Sequence, residues 1–290
     1  MKYEIKTELL ESLITLASVI EARDTYTGGH TWRVSQYASL LAQKIGLSKD
    51  EIFISSLGGL VHDIGKISVP DAILNKKGPL DEKEFKIMKN HPVTGGSIIE
   101  KHPLAPLVVM SITEHHERID GNGYPIATSE LSTYGKLISI CDAFDAMTST
   151  RSYRAGMTRE KAFSILLEEC NTQFDKSLVE NFISLNQGDR LSHILGHAGE
   201  NKLLLNCPVC GPIISPPGKL ADGEKIECPG CTGTFHAHKK KDNFELEFTG
   251  TVTGLYTPKA DKDCIFHFTR QAPCSIKTHL KNKFCTLNHN

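Results

Sequence analysis

The sequence predicts an all-α domain over residues 1–198, followed by a small β-rich domain over residues 199–290. Three observations lead to this division. Apolar residues recur at helical spacing through the first two thirds of the chain. Near residue 200, proline and glycine become dense and a strand-like alternation begins. Seven of the nine cysteines also lie after residue 206.

The helices are visible as one-sided apolar stripes. The first stripe consists of Leu9, Leu13, Leu16 and Ile20. Similar stripes follow within residues 34–45, 53–64, 137–144 and 163–170. We interpret all of them as core positions without chemistry of their own.

The second domain begins between about Gly196 and Lys202, with the uncertainty usual for such boundaries. Within it, Phe244, Leu246 and Phe248 alternate with glutamates at the period of a strand. We therefore expect the helical part to fold and act without the residues beyond Gly196.

Composition excludes several classes of protein. The net charge is -1 and the hydrophobic fraction is 39%, which fits a globular chain with no general affinity for polyanions. The basic run Lys239–Lys241 is interpreted as a solvated face, so nucleic acid is not an expected partner. The N-terminal apolar run Leu13–Ile20 is too short for a membrane span and has no signal-peptide pattern, which predicts a cytoplasmic protein without membrane contact.

Histidines and aspartates form the strongest chemical signal. His62-Asp63 ends an apolar helix just before the flexible Gly65, and His115-His116 is a second adjacent pair before a glycine-rich turn. His30, His91 and Asp142 complete the set. A single histidine is more often structural than a ligand, but this combination predicts a metal centre. Imidazole and carboxylate ligands suit iron, manganese, nickel, cobalt or zinc, and two ions sharing a carboxylate suit phosphodiester hydrolysis.

Two longer motifs resemble a known family. Residues 62–66 match the HDxGK motif of the HD superfamily, and residues 115–125 match the HHExxDGxGYP motif of its HD-GYP branch. Residues 142–154 resemble the usual continuation of that branch, so the resemblance covers about residues 8–185.

The resemblance implies an all-α HD-superfamily fold and a bacterial phosphodiesterase that linearises cyclic di-GMP, often continuing toward GMP. It implies two divalent transition metals, with iron or manganese expected. One ion would be held by His30, His62, Asp63 and Asp142, and the other by His91, His115 and His116, with Asp63 bridging.

The same resemblance assigns substrate contacts. Lys66 would hold the scissile phosphate and act with Asp63 in catalysis, Tyr124 would face the ligand, and Arg151 and Arg154 would meet the other phosphate or a guanine edge. The alternatives are a surface ion pair for the two arginines and loop packing for Tyr124. Some family members bind a third ion through a glutamate four residues before the first histidine. Tyr26 stands there in this chain, so we expect two catalytic ions.

The second domain carries its own motif. Cys207, Cys210, Cys228 and Cys231 form two CxxC pairs at the spacing of a four-cysteine zinc ribbon. We expect one structural zinc there and a surface available to a protein partner. Cys264, Cys274 and Cys285 are spaced too widely to assign.

Two other functions remain open at this point. One is a sensor module that binds the ligand and signals through the ribbon. The other is an HD-type hydrolase of a different nucleotide. The complete set of expected ligands favours an enzyme over the sensor, and the Gly123-Tyr124-Pro125 loop argues against a different nucleotide.

Overall fold

A computed structural model describes residues 5–24, 28–76, 78–149, 156–199, 202–210, 213–216, 220–241, 243–254 and 262–273. Helices dominate as far as residue 184. They are α1 (Ile5–Arg23), α2 (His30–Lys44), α3 (Lys49–Val61), a 3-10 helix (Ile64–Ser68), α4 (Asp71–Leu74), α5 (Glu82–Met88), α6 (His91–Ile99), α7 (Ala105–Glu114), α8 (Thr133–Thr148), α9 (Arg159–Glu168) and α10 (Lys176–Ser184). The predicted helical fold is confirmed for this part of the chain.

One apolar core joins most of these helices. The stripe residues Leu13, Leu41 and Leu57 are buried in it. Tyr37 of α2 meets Phe144 of α8 edge to face, with ring centroids 5.3 Å apart at 86°. Such aromatic pairs add to the burial of apolar surface, and they fix α2 against α8.

The pair α2 and α3 forms the support for the site. A capping box between Ser48 and Glu51 begins α3. Farther along, Gly59 approaches the backbone of α2 so closely that a Cβ there would lie 2.8 Å from the Cα of Ser35. This approach holds the end of α3 beside the start of α2.

Short strands follow the helices. They are β1 (His197–Gly199), β2 (Lys202–Leu203), β3 (Leu205–Asn206), β4 (Ile213–Ile214), β5 (Glu224–Glu227), β6 (Gly233–Lys240) and β7 (Asn243–Val252). β5, β6 and β7 form an antiparallel sheet in that order. A second, smaller core gathers Leu205, Ile214, Ile226 and Phe235 with Cys207 and Cys228. A small antiparallel sheet with its own core is therefore present where the sequence predicted one.

The last described helix, α11 (Lys262–Gln271), packs on α1. Phe268 and Ala272 are buried in the core of the helical part, and Cys264 packs at its edge. The sequence assigned all residues after 198 to the second domain. The structure instead places α11 with the helices, because its apolar side chains are buried there. Cys274 and Cys285 lie outside the described residues.

The helices that the structure describes include none with both the length and the apolar character needed to cross a bilayer.

Candidate metal centre

The predicted ligands come from the ends of several helices. His30 and His91 are the first residues of α2 and α6, His62-Asp63 follow α3, and His115-His116 follow α7. Asp142 comes from the middle of α8. The segment after α3 can pack against the start of α6 only because residue 65 is glycine. A Cβ at Gly65 would collide with the backbone carbonyl of His91. Most of these side chains are buried, and His116 and Asp142 are half-buried.

Asp63 lies between two groups of histidines. Its Oδ2 is 3.6 Å from His30 Nε2 and 3.3 Å from His62 Nε2. Its Oδ1 is 3.3 Å from His91 Nε2 and 3.9 Å from His115 Nε2. Each carboxylate oxygen thus faces a different pair of imidazoles, as a carboxylate bridging two ions would.

The two groups correspond to two sets of donor atoms that converge. His91, His115 and His116 form one set, and His30, His62 and Asp63 form the other. Asp142 joins the second set, since its Oδ1 lies 3.3 Å from His30 Nε2. The structure therefore brings together all seven residues that the sequence suggested.

Hydrogen bonds on the far side of the rings fix which nitrogen faces inward. The Nδ1 atoms of His62, His91 and His115 lie 2.8, 2.9 and 2.8 Å from backbone carbonyl oxygens. A carbonyl only accepts, so each neutral ring carries its hydrogen on Nδ1 and directs the lone pair of Nε2 into the centre. This arrangement is typical of metal-ligating histidines.

Two features of these inward nitrogens call for a cation. His62 Nε2 is fully buried and, within the described part of the chain, forms no hydrogen bond, although Asp63 Oδ2 lies 3.3 Å away. His91 Nε2 lies 3.0 Å from His115 Nε2, so two lone pairs face each other. A buried polar atom without a partner is costly, and a bound cation would satisfy both positions. The residues present therefore fit divalent metal ions.

Electrostatics keeps Asp63 and His116 in the forms that bind metal, whereas without a cation the carboxylates around His30 favour its protonated form. Burial works against the charge of Asp63, yet Lys66 and His62 hold the pKa of its carboxyl well below the usual range. Burial and the neighbouring His91 lower the pKa of His116 to about 3, so its ring is neutral. Burial also disfavours charge on His30, but hydrogen bonds to Asp142 and Asp145 raise its pKa to about 9.

Asp145 and Arg33 were missed by the sequence reasoning. Asp145 Oδ2 lies 2.8 Å from His30 Nδ1 and orients that ring, as a carboxylate behind a metal-binding histidine does. Arg33 pairs with the same carboxylate. Asp145 follows Asp142 by one helical turn, and that spacing is the signal that could have revealed it.

Lys66 stands at the edge of the centre. Its Nζ is 2.7 Å from Asp63 Oδ2 and 3.6 Å from Asp24 Oδ2. It lines a small pocket together with Glu21, Asp24 and Asp63. Its ammonium is therefore held beside Asp63, the carboxylate that lies between the two groups of histidines.

The loop after His116 carries Tyr124 over the centre. The Tyr124 ring stacks on His116, with centroids 4.7 Å apart at 27°. Glu117 is buried and accepts backbone N–H bonds from Ile126, Ala127 and Thr128, so it shapes the loop. Arg151, Arg154 and Tyr26 lie outside the described residues.

The four cysteines of the second part also converge. Sγ–Sγ distances are 3.7 Å for Cys207–Cys231, 3.6 Å for Cys210–Cys207 and 3.5 Å for Cys210–Cys228. Four thiolates at a Zn–S distance of ~2.3 Å on a tetrahedron stand ~3.8 Å apart. The cluster thus has approximately the size of a four-thiolate site.

Together, the helical fold and this centre define a helical protein with a histidine- and aspartate-lined site for divalent metal ions. The family model described as "HD domain" matches residues 15–178, which is more than half of the chain. The chain belongs to the HD domain family.

Known relatives are enzymes of cyclic dinucleotide signalling by name. The chain is 33% identical over 181 residues to the cyclic di-GMP phosphodiesterase response regulator RpfG of Xanthomonas campestris, covering 61% of this chain and 48% of RpfG. It is 36% identical over 170 residues to 3'3'-cGAMP-specific phosphodiesterase 3 of Vibrio cholerae, covering 57% of this chain and 37% of the relative. The chain thus spans less than half the length of either relative.

A solved structure is also similar. Bd1817, described as an HDG"Y"P protein from Bdellovibrio bacteriovorus, is 23% identical with a TM-score of 0.45. The match covers 57% of this chain and 53% of that chain.

Proposed function

We propose that this chain is a metal-dependent phosphodiesterase of the HD-GYP branch that hydrolyses cyclic di-GMP to the linear dinucleotide, with any further hydrolysis to GMP a slower second step. The observation that carries the proposal is the position of Asp63, whose two oxygens face two separate groups of inward-directed histidine nitrogens. A shared carboxylate of this kind is what a two-ion centre for phosphodiester hydrolysis requires.

Divalent ions at such a centre supply an activated water and withdraw charge from the phosphoryl oxygens. His30, His62, Asp63 and Asp142 would hold one ion, and His91, His115 and His116 the other, with Asp63 shared. Lys66 binds an oxygen of the scissile phosphate and stabilises the charge that develops on it. Tyr124 packs against the ligand from above, while Arg151 and Arg154 bind the second phosphate or a guanine edge.

Two ions are proposed, with iron or manganese as the metal. Histidine and carboxylate donors suit both ions. The sequence offers Tyr26 where a third ion would need a carboxylate, and a phenol of ordinary pKa near roughly 10 is a poor ligand at neutral pH. Elemental analysis of anaerobically purified protein checks the number, with zinc counted separately.

A second candidate substrate is supported by a specific observation. A relative that is 36% identical carries the name 3'3'-cGAMP-specific phosphodiesterase, so a mixed guanine–adenine dinucleotide is the second candidate. Protein loaded with iron or manganese should be assayed against cyclic di-GMP, 3'3'-cGAMP and cyclic di-AMP, with products separated chromatographically. The proposal expects the highest kcat/KM for cyclic di-GMP and no turnover after chelation. Equal metal loading without turnover of any of the three would overturn it in favour of a sensor role.

For the second part, we propose a zinc ribbon with one zinc held by Cys207, Cys210, Cys228 and Cys231. The tetrahedron-sized cluster and the small core around it support a structural role. We also propose that the boundary after residue 198 separates two units, with α11 returning to the helical one, that the ribbon contacts a protein partner, and that the protein acts in the cytoplasm.

A further inference from the structure

Two side chains at the end of α5 stand beside the Tyr124 loop. The Phe85 ring meets Tyr124 edge to face, with centroids 6.3 Å apart at 77°. Lys89 lies one helical turn later, and its Nζ is 4.8 Å from the Phe85 centroid and 5.2 Å from the Tyr124 centroid. The Tyr124 ring in turn stacks on His116. A single aromatic ring therefore separates the Lys89 ammonium from a metal-binding residue.

Lys89 keeps its positive charge available. In the part of the chain that the structure describes, it is held by the two rings, and no carboxylate forms an ion pair with it. Cation–π contacts of this kind are weaker than a charge-assisted hydrogen bond to a phosphate oxygen. An anionic ligand that reached the mouth of the site would therefore draw the ammonium from the rings.

Phe85 leaves a large aromatic surface open beside this charge. Its side chain is 44% exposed, although it packs edge-on against Tyr124. An aromatic ring that is half-open next to a phosphate-binding cation is the combination on which nucleic-acid bases stack. Because every base has a π face, this contact would recognise a nucleotide without selecting among bases.

We propose that Phe85 and Lys89 form a second recognition site for the substrate at the mouth of the metal centre. Lys89 binds the phosphate that is not being hydrolysed, which leaves a guanine edge to Arg151 and Arg154, and Phe85 stacks one purine base. This inference rests on the proposed function, since it assumes a ligand with two phosphates and two bases. The Phe85–Lys89 site would favour such a ligand over a simple phosphodiester, because a simple phosphodiester would reach the metals without contacting either residue.

The test compares Lys89→Met and Phe85→Ala with wild type on two substrates. One is cyclic di-GMP, and the other is bis(p-nitrophenyl) phosphate, which has a single phosphate and no purine. Lys86→Met is the matched control, because this exposed lysine lies on the same helix. We expect KM for cyclic di-GMP to rise about tenfold in each test variant. A change of this size corresponds to the loss of one stacking contact or one hydrogen bond to a phosphate. The effect on kcat should be smaller, and Lys89→Arg should restore much of the loss.

The discriminating quantity is the ratio of kcat/KM for cyclic di-GMP to kcat/KM for the reporter. A fall in this ratio for both test variants, with none for Lys86→Met, supports the recognition site. An unchanged ratio in a protein that hydrolyses cyclic di-GMP overturns the recognition site and leaves the proposed function standing. Wild-type protein that cleaves the reporter but no cyclic dinucleotide overturns the proposed function and this inference with it. Equal metal content in all variants shows that the centre itself is intact.

Discussion

Arg33 and Asp145 form a buried, bidentate ion pair directly behind the first histidine of the centre. Arg33 Nε lies 2.6 Å from Asp145 Oδ1, and Nη2 lies 3.0 Å from Oδ2. The same Oδ2 is 2.8 Å from His30 Nδ1. Arg33 Nη1 also donates to the carbonyls of Gly28 and His197. Through Arg33, the orientation of His30 is thus tied to the backbone at Gly28 and at His197.

This relationship predicts the effect of Asp145→Asn. The substitution keeps the shape but removes the charge that orients His30, and it leaves Arg33 buried without its counter-ion. We expect metal affinity to fall about 10–100-fold, as is usual when a partner of a metal-binding histidine is lost. Breaking a buried ion pair should also cost about 3–5 kcal/mol in the free energy of unfolding.

The matched control is Asp189→Asn, which removes a carboxylate from the solvent-exposed Arg159–Asp189 pair. Its free energy of unfolding should change by less than about 1 kcal/mol, with metal affinity unaltered. Metal titration and thermal melting of both variants provide the measurement. If Asp145→Asn binds metal as tightly as the control does, Asp145 does not position His30.

Lys66→Met is expected to separate catalysis from metal binding. The ammonium lies 2.7 Å from Asp63 Oδ2, close enough to act on a phosphate held there. Loss of a donor that stabilises transition-state charge typically lowers kcat about 100–1,000-fold. Metal content should remain near that of wild type.

A lysine near the end of a helical segment could instead serve only stability through the helix dipole. Lys136→Met is the control, because Lys136 pairs with Asp175 away from the metal-binding residues. Steady-state kinetics and melting curves of both variants distinguish the two roles. An undiminished kcat accompanied by a lower melting temperature in Lys66→Met would favour the stability role.

The cysteine cluster predicts a zinc that is lost independently of the catalytic metals. Cys228 is fully buried in the cluster and in the small core of the sheet. Cys228→Ser should therefore release zinc and unfold the β5–β7 sheet. In such sites the free energy of zinc binding is part of the free energy of folding. Iron or manganese content should persist.

Cys170→Ser is the matched control, since Cys170 lies in the helical part and outside the cluster. Elemental analysis of the full chain, together with proteolysis of the sheet region, gives the readout. Zinc retained by Cys228→Ser would exclude the four-thiolate site. Simultaneous loss of zinc and the catalytic metals would show that the two sites depend on one another.

The sequence pointed to side chains that the fold brings together, because local patterns mark those residues. Adjacent pairs such as His62-Asp63 and His115-His116 are rare, and the motif around each fixes its place at a helix end. The fold then had to bring helix ends together, which Gly59 and Gly65 allow by close backbone approach.

What the sequence did not reveal depends on contacts between distant segments. Arg33 and Asp145 are 112 positions apart, and although Asp145 lies within the family-like stretch 142–154, no local pattern shows that the two residues pair. Phe85 and Lys89 could not be linked to the site from the sequence, because only the folded Tyr124 loop brings them beside it. The helix α11 was not predicted because the region before it has the pattern of strands and turns, and the burial of α11 against α1 is a tertiary effect.

The central claim is that Asp63 is shared by two metal ions that hydrolyse a cyclic dinucleotide. Metal content and cyclic di-GMP turnover, measured on the same anaerobic preparations of wild type and Asp63→Ala, test it most directly. Wild type should contain two equivalents of iron or manganese beside zinc and form the linear dinucleotide, as the two-ion proposal requires. Asp63→Ala should keep its zinc, lose the other metals and show no turnover. Wild-type turnover by Asp63→Ala would contradict the account.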